Sequence, residues 1–104
     1  MADILYIVVP CYNEQEVLPE TAKRLKAKME ALITSGVVSK KSRIMLVNDG
    51  SKDTTWEIIS NLHSESHLFT GVNLTRNRGH QNALLAGLMT AKSRADVTIS
   101  MDAD

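Results

Sequence analysis

The chain has 104 residues, 43% of them hydrophobic and 23% charged, with 12 basic and 12 acidic side chains that cancel to a formal net charge of zero. That is enough for one modest core and no more than one domain, and it excludes the basic footprint of a nucleic-acid-binding protein. The lone cysteine, Cys11, cannot pair within the chain, which excludes a disulfide scaffold and fits a reducing cytosol. Cys11 itself reads as a small packing residue, since no partner base is identifiable. No run of about 18 apolar residues is present, and Met1–Ala2–Asp3–Ile4 lacks the basic-then-apolar pattern of a signal peptide.

Ile4 to Val9 is a continuous apolar run, rich in β-branched residues and ended by Pro10, as expected of a strand buried on both faces. From Glu14 to about Thr34, apolar residues recur at Val17, Leu18, Ala22, Leu25, Met29, Leu32 and Ile33. This is helical spacing, with Pro19 in the early turns where proline is tolerated and Gly36 as the C-cap. Arg43 to Asn48 predicts a second buried strand, followed by a sharp Asp49–Gly50–Ser51 turn. Thr54 and Glu57 fit a capping box, with Asp53 an equally good cap, ahead of a helix burying Trp56, Ile59 and Leu62. Leu68 to Leu74 predicts a third strand. Gly79 opens a third helix with Leu84, Leu85, Leu88 and Met89 facing inward, and Asp96 to Met101 is the fourth strand, leading into Asp102–Ala103–Asp104.

The resulting β-α-β-α-β-α-β order predicts an α/β fold of Rossmann-like, three-layer type, its parallel sheet sandwiched between helices. In such sheets ligands bind beyond the carboxyl ends of the strands. Four polar clusters fall there: Tyr12–Asn13–Glu14, Asp49–Gly50–Ser51, Arg76 to His80, and Asp102 with Asp104. Side chains two apart on an extended segment share a side, so Asp102 and Asp104 form an oxygen-rich pair suited to Mg²⁺ or Mn²⁺ on a diphosphate, unless they are simply a solvated terminus. Asp49 either accepts from a nucleobase N–H or only shapes its turn. Arg76 and Arg78 precede a helix N-terminus, a natural anion site at which one of the two is expected to touch ligand. His80 adds a further donor there, whereas His63 and His67 read as exposed residues at a helix end. Glu14 is either a ligand contact or a first-turn acid. No G-x-G-x-x-G, Walker-type loop or zinc-ligand spacing occurs.

Taken together, Val9–Pro10–Cys11–Tyr12–Asn13–Glu14, Val47 to Thr55, Arg76–Asn77–Arg78–Gly79–His80–Gln81 and Asp102–Ala103–Asp104 resemble the family-2 glycosyltransferases of GT-A fold, in order and spacing. The stretch from Arg76 to Leu88 is similar to the branch that glycosylates polyprenyl or dolichyl phosphate. The resemblance implies a sheet order 3-2-1-4 and makes residues 1–104 the N-terminal nucleotide-sugar-binding part of a longer domain, reaching only to its D-x-D. It also implies nucleotide-sugar contacts from Pro10, Tyr12, Asn13, Glu14, Asp49, Arg76, Arg78, Gly79 and Asp102, with Asp102 and Asp104 on the metal. Asn48 stands where the family more usually has Asp. The implied reaction moves a hexose from a nucleotide sugar, UDP-linked by expectation, to an acceptor such as polyprenyl phosphate.

The residues shared with the family leave the acceptor side and any general base to the rest of the protein. The 104-residue chain is therefore expected to be inactive alone and cytoplasmic, with its parent at the cytoplasmic face of a membrane. With order 3-2-1-4 its fourth strand has an open apolar edge, from which self-association is expected. The other readings are a non-catalytic nucleotide- or metal-binding module, a haloacid-dehalogenase-like phosphatase and a nucleotidyltransferase. The phosphatase fold carries its D-x-D on the first strand, not the last, and the nucleotidyltransferase's glycine-rich first loop is missing after Val9.

Overall fold

In the computed structural model, which describes residues 2–103, four strands and three helices alternate along the chain. Strands β1 (Leu5–Cys11), β2 (Arg43–Asp49), β3 (Phe69–Leu74) and β4 (Val97–Ser100) form one parallel sheet in the order β3-β2-β1-β4. Helices α1 (Leu18–Thr34) and α2 (Thr55–Glu65) cover one face, and α3 (His80–Ala91) covers the other. The expected fold class and strand order are both present.

β1 and the Ile44–Val47 stretch of β2, the two central strands, are apolar because both of their faces are covered. On β1, Leu5, Ile7 and Val9 point toward α1 and α2, where they meet Leu18, Ala22, Leu25, Met29 and Ile59. Tyr6 and Val8 point the other way and join Met45, Val47, Ala83 and Ala91 beneath α3. Buried polar groups in these layers are satisfied. Ser42 Oγ, for example, accepts the Leu5 N–H at 2.9 Å.

Four local expectations are corrected. First, Pro10 does not end β1, since it pairs in register with Val47 and the strand runs on to Cys11. The Val8 carbonyl accepts the Met101 N–H, so alternate backbone groups of β1 face β4. Pro10 lies two residues on, beyond the last β1–β4 pair at Val8 and Ser100, so its missing N–H removes no ladder bond.

Second, α1 begins at Leu18, after a turn in which Glu14 O accepts the N–H groups of both Val17 and Leu18. Third, Thr54 makes no side-chain cap bond. Asp53 Oδ1 accepts the Thr55 N–H at 2.9 Å instead, together with the Thr55 hydroxyl.

Fourth, Leu85 and Met89 face solvent, at 54% and 67% exposure. The buried stripe of α3 is Ala83, Gly87 and Ala91, spaced by four. A Cβ on Gly87 would stand 2.5 Å from Val8 Cγ1 and 2.7 Å from Val47 Cγ2, so glycine lets the helix settle onto the sheet. β4 is an edge strand, and every one of its residues is exposed.

Candidate functional site

The carboxyl rim of the sheet carries a cavity of about 520 Å³. It is lined by Pro10, Cys11, Tyr12 and Glu14 after β1, Asp49 at the end of β2, Asn77, Gly79 and His80 at the start of α3, and Asp102 and Ala103 after β4. Each lining segment leaves the sheet on the same edge because all four strands are parallel.

Asp49 organises the floor. It is only 2% exposed, yet its carboxylate meets donors on both oxygens. Oδ1 accepts the Arg78 backbone N–H at 2.7 Å, and Oδ2 accepts from Asn77 Nδ2 at 3.2 Å. A carboxylate can accept about four hydrogen bonds, so acceptor capacity remains for a ligand. Gly50 makes the next step of the turn with φ of 65°, and a Cβ there would stand 2.2 Å from the Arg76 carbonyl carbon. Only glycine fits, and the 76–79 loop therefore lies directly on the 49–50 turn.

A second set of bonds joins the β1–α1 loop to the β2–α2 loop. Asn13, in the left-handed region at φ 51°, donates its N–H to Ser51 Oγ at 2.9 Å and accepts the Lys52 N–H on Oδ1 at 2.9 Å. Thr55 Oγ1 accepts the Glu14 N–H at 2.8 Å, Asp53 Oδ2 accepts the Gln15 N–H, and Gln15 Oε1 accepts from Thr54. Asn13 thus shapes the wall without lining the cavity.

Cys11 is buried, and that burial, with a smaller contribution from the Glu14 charge, pushes its thiol up to about 12. It donates to the Val9 carbonyl, and a thiol so protonated is a packing residue.

Of the residues singled out from sequence, Pro10, Tyr12, Glu14, Asp49, Gly79 and Asp102 meet at the cavity. Arg76 and Arg78 are exposed and do not line it, and Arg78 serves the site through its main-chain N–H. Asn77 was missed as an individual residue, although its amide bonds to both the carbonyl and the carboxylate of Asp49. An amide between two arginines is a weaker signal than the arginines themselves.

Asp104 lies outside the described residues. Asp102 is exposed beside His80, with Oδ1 3.4 Å from His80 Nε2. Among the described residues no three His, Cys, Asp or Glu side chains converge as a ready-made metal cage. One carboxylate completed by ligand phosphate oxygens and water is nevertheless a normal Mg²⁺ arrangement, so the donor chemistry at Asp102 fits such an ion.

A three-layer α/β domain with a parallel sheet and a ligand-sized cavity at its carboxyl rim is of the Rossmann-like class, here in its GT-A form. The family described as glycosyl transferase family 2 matches residues 6–104, and the chain belongs to it.

Among relatives, an uncharacterized glycosyltransferase, YkoT, of Bacillus subtilis (strain 168) is 48% identical over 101 residues, which are 97% of this chain and 30% of that protein. The undecaprenyl-phosphate 4-deoxy-4-formamido-L-arabinose transferase of Enterobacter sp. (strain 638) is 39% identical over 100 residues, 94% of this chain and 28% of that one.

Among solved structures, the Pyrobaculum calidifontis mannosyltransferase PcManGT, in complex with GDP-Man and Mn²⁺, superposes with a TM-score of 0.81 at 23% identity. The match covers all of this chain and 28% of that one. S. aureus TarS 1-349 in complex with UDP gives 0.71 at 19% identity, over 97% of this chain and 27% of that one. The chain therefore spans under a third of the length of the relatives it matches.

Proposed function

We propose that this chain is the nucleotide-sugar-binding part of a glycosyltransferase that moves a hexose from a UDP-sugar to polyprenyl phosphate at the cytoplasmic face of a membrane. The observation that carries the reading is the cavity, where Pro10, Tyr12, Glu14, Asp49 and Asp102 converge from separate loops. Tyr12, 42% exposed at the mouth, offers an aromatic surface to the base and ribose. Asp49 offers a buried acceptor to the base N–H while the 76–79 loop holds its carboxylate in orientation.

Asp102, joined by Asp104, would hold Mg²⁺ or Mn²⁺. The ion, when bound, neutralises charge on the departing nucleoside diphosphate. Metal-assisted transfer is supported by the Mn²⁺ in the mannosyltransferase complex, and a lipid-phosphate acceptor by the undecaprenyl-phosphate transferase relatives. No helix among the described residues is long and apolar enough to cross a membrane.

Alone, the chain is expected to bind donor nucleotide without transferring sugar, because it covers less than a third of its relatives. Calorimetric titration with UDP, with and without Mn²⁺ and with GDP as control, tests the reading. Binding of UDP strengthened by Mn²⁺ is the expected result, and no heat with either nucleotide overturns it.

A further inference from the structure

We propose that His80 binds the divalent cation alongside Asp102, so that the metal site is built from the first residue of α3 as well as from the segment after β4. This rests on the donor-nucleotide reading above for what fills the cavity. His80 Nε2 and Asp102 Oδ1 stand 3.4 Å apart, their side chains are 59% and 72% exposed, and both residues line the same cavity. A charge-assisted N–H···O bond closes to about 2.7–2.9 Å, so the pair is too far apart to be a good one.

The separation instead suits two donors on one ion. Octahedral cations with bonds of about 2.1 Å keep adjacent donors about 3 Å apart, and two exposed side chains 3.4 Å apart can close to that spacing. An ion there would face the open cavity, leaving its other positions to diphosphate oxygens and water.

The ligand type sets the choice of metal. Magnesium favours oxygen and binds imidazole poorly, whereas an imidazole nitrogen is a better donor to manganese and later first-row ions. A site containing His80 therefore prefers Mn²⁺ to Mg²⁺, a preference that a purely carboxylate site would show less.

The test is electron paramagnetic resonance of Mn²⁺ bound to the 104-residue chain with UDP, using pulsed methods to detect nitrogen-14 next to the metal. His80→Gln is compared with wild type and with His63→Gln, whose ring bonds to the Phe69 carbonyl away from the cavity. Nitrogen coupling is expected in wild type and His63→Gln and absent in His80→Gln. Mn²⁺ affinity should fall about tenfold in His80→Gln while Mg²⁺ affinity changes little. His80 is exposed, and circular dichroism verifies that the variant folds. Mn²⁺ and UDP binding together with no nitrogen coupling, or with coupling kept in His80→Gln, overturns the assignment of His80 but leaves the donor-nucleotide reading intact. Failure of wild type to bind UDP overturns both.

Discussion

Asp49 Oδ1 accepts the backbone N–H of Arg78 at 2.7 Å, joining the end of β2 to a loop 29 residues further along. The bond is part-buried, and its acceptor belongs to a residue almost fully excluded from water. Replacing Asp49 with alanine strands the Arg78 N–H and the Asn77 amide together. A hydrogen bond to a charged group contributes about 1.5–3 kcal/mol, so Asp49→Ala is expected to lose about 2–3 kcal/mol in urea unfolding. Asp49→Asn keeps one acceptor but turns an NH₂ toward the Asn77 amide, and its expected loss is about half as large. Equal losses for the two variants would show that the charge is immaterial.

Gly50→Ala tests the contact between the 49–50 turn and the 76–79 loop. The new methyl has nowhere to go, because the obstructing atoms are the main chain of Arg76 and Asn77 and φ is 65°. The expected cost exceeds about 2 kcal/mol, with nucleotide affinity falling in parallel as the loop is displaced. Thermal unfolding and UDP titration of the same sample measure both.

Gly87→Ala places a methyl against Val8 and Val47, whose β-branched side chains are stiff. Overpacking of this kind costs about 1–3 kcal/mol. Helix propensity alone would make the change stabilising by about 1 kcal/mol. The sign of the measured difference therefore decides between close packing and local propensity.

Asp53 gives a pH dependence. Desolvation is the largest single influence and pushes its carboxyl up. Hydrogen bonds donated by the Thr55 hydroxyl, the Thr55 and Gln15 N–H groups and its own N–H outweigh it and hold the carboxyl below 3.8. A folded value below the unfolded one means that the ionised side chain stabilises above about pH 4. That contribution is lost as pH falls through the lowered folded value. Urea midpoints of wild type and Asp53→Asn should differ most near neutrality and converge in acid; a gap that stays constant with pH contradicts this.

β4 presents a free edge, with Val97 and Ile99 43% and 47% exposed on the α1 side of the sheet. Pairing with a second copy is the expected outcome for the isolated chain at high concentration. Ile99→Lys should return it to monomer, as read by light scattering, and a wild-type monomer at millimolar concentration would count against edge pairing.

The strands were legible in the sequence because burial on both faces leaves an unbroken apolar run, as in Ile44 to Val47. Helix α3 was legible as a helix but not in its orientation. Its sequence is apolar on nearly every side, so the large residues Leu85 and Met89 looked like core while Ala83, Gly87 and Ala91 carried the contact. Tyr12, Asp49 and Asp102, picked out in the sequence by residue type at the strand ends, are among the residues that line the cavity. Arg76 and Arg78 lie outside the lining, with the Arg78 main-chain N–H bonded to Asp49, because spacing does not report where a loop points its side chains. The reach of Asn13 to Ser51 and Lys52 spans some 40 residues and leaves no local pattern.

The stitching of the 13–15 loop to the 51–55 loop bears on how a ligand would be received. Those two segments lose their freedom when the chain folds, not when a nucleotide arrives, so that side of the cavity is preorganised. On the opposite side Asp49 holds the loop that precedes His80, and the Thr21 hydroxyl holds the Ala103 carbonyl next to Asp102, but the His80 and Asp102 side chains themselves are 59% and 72% exposed. A ligand entering the cavity would thus meet main chain already fixed by the fold, with the exposed side chains of His80 and Asp102 left to adjust to it.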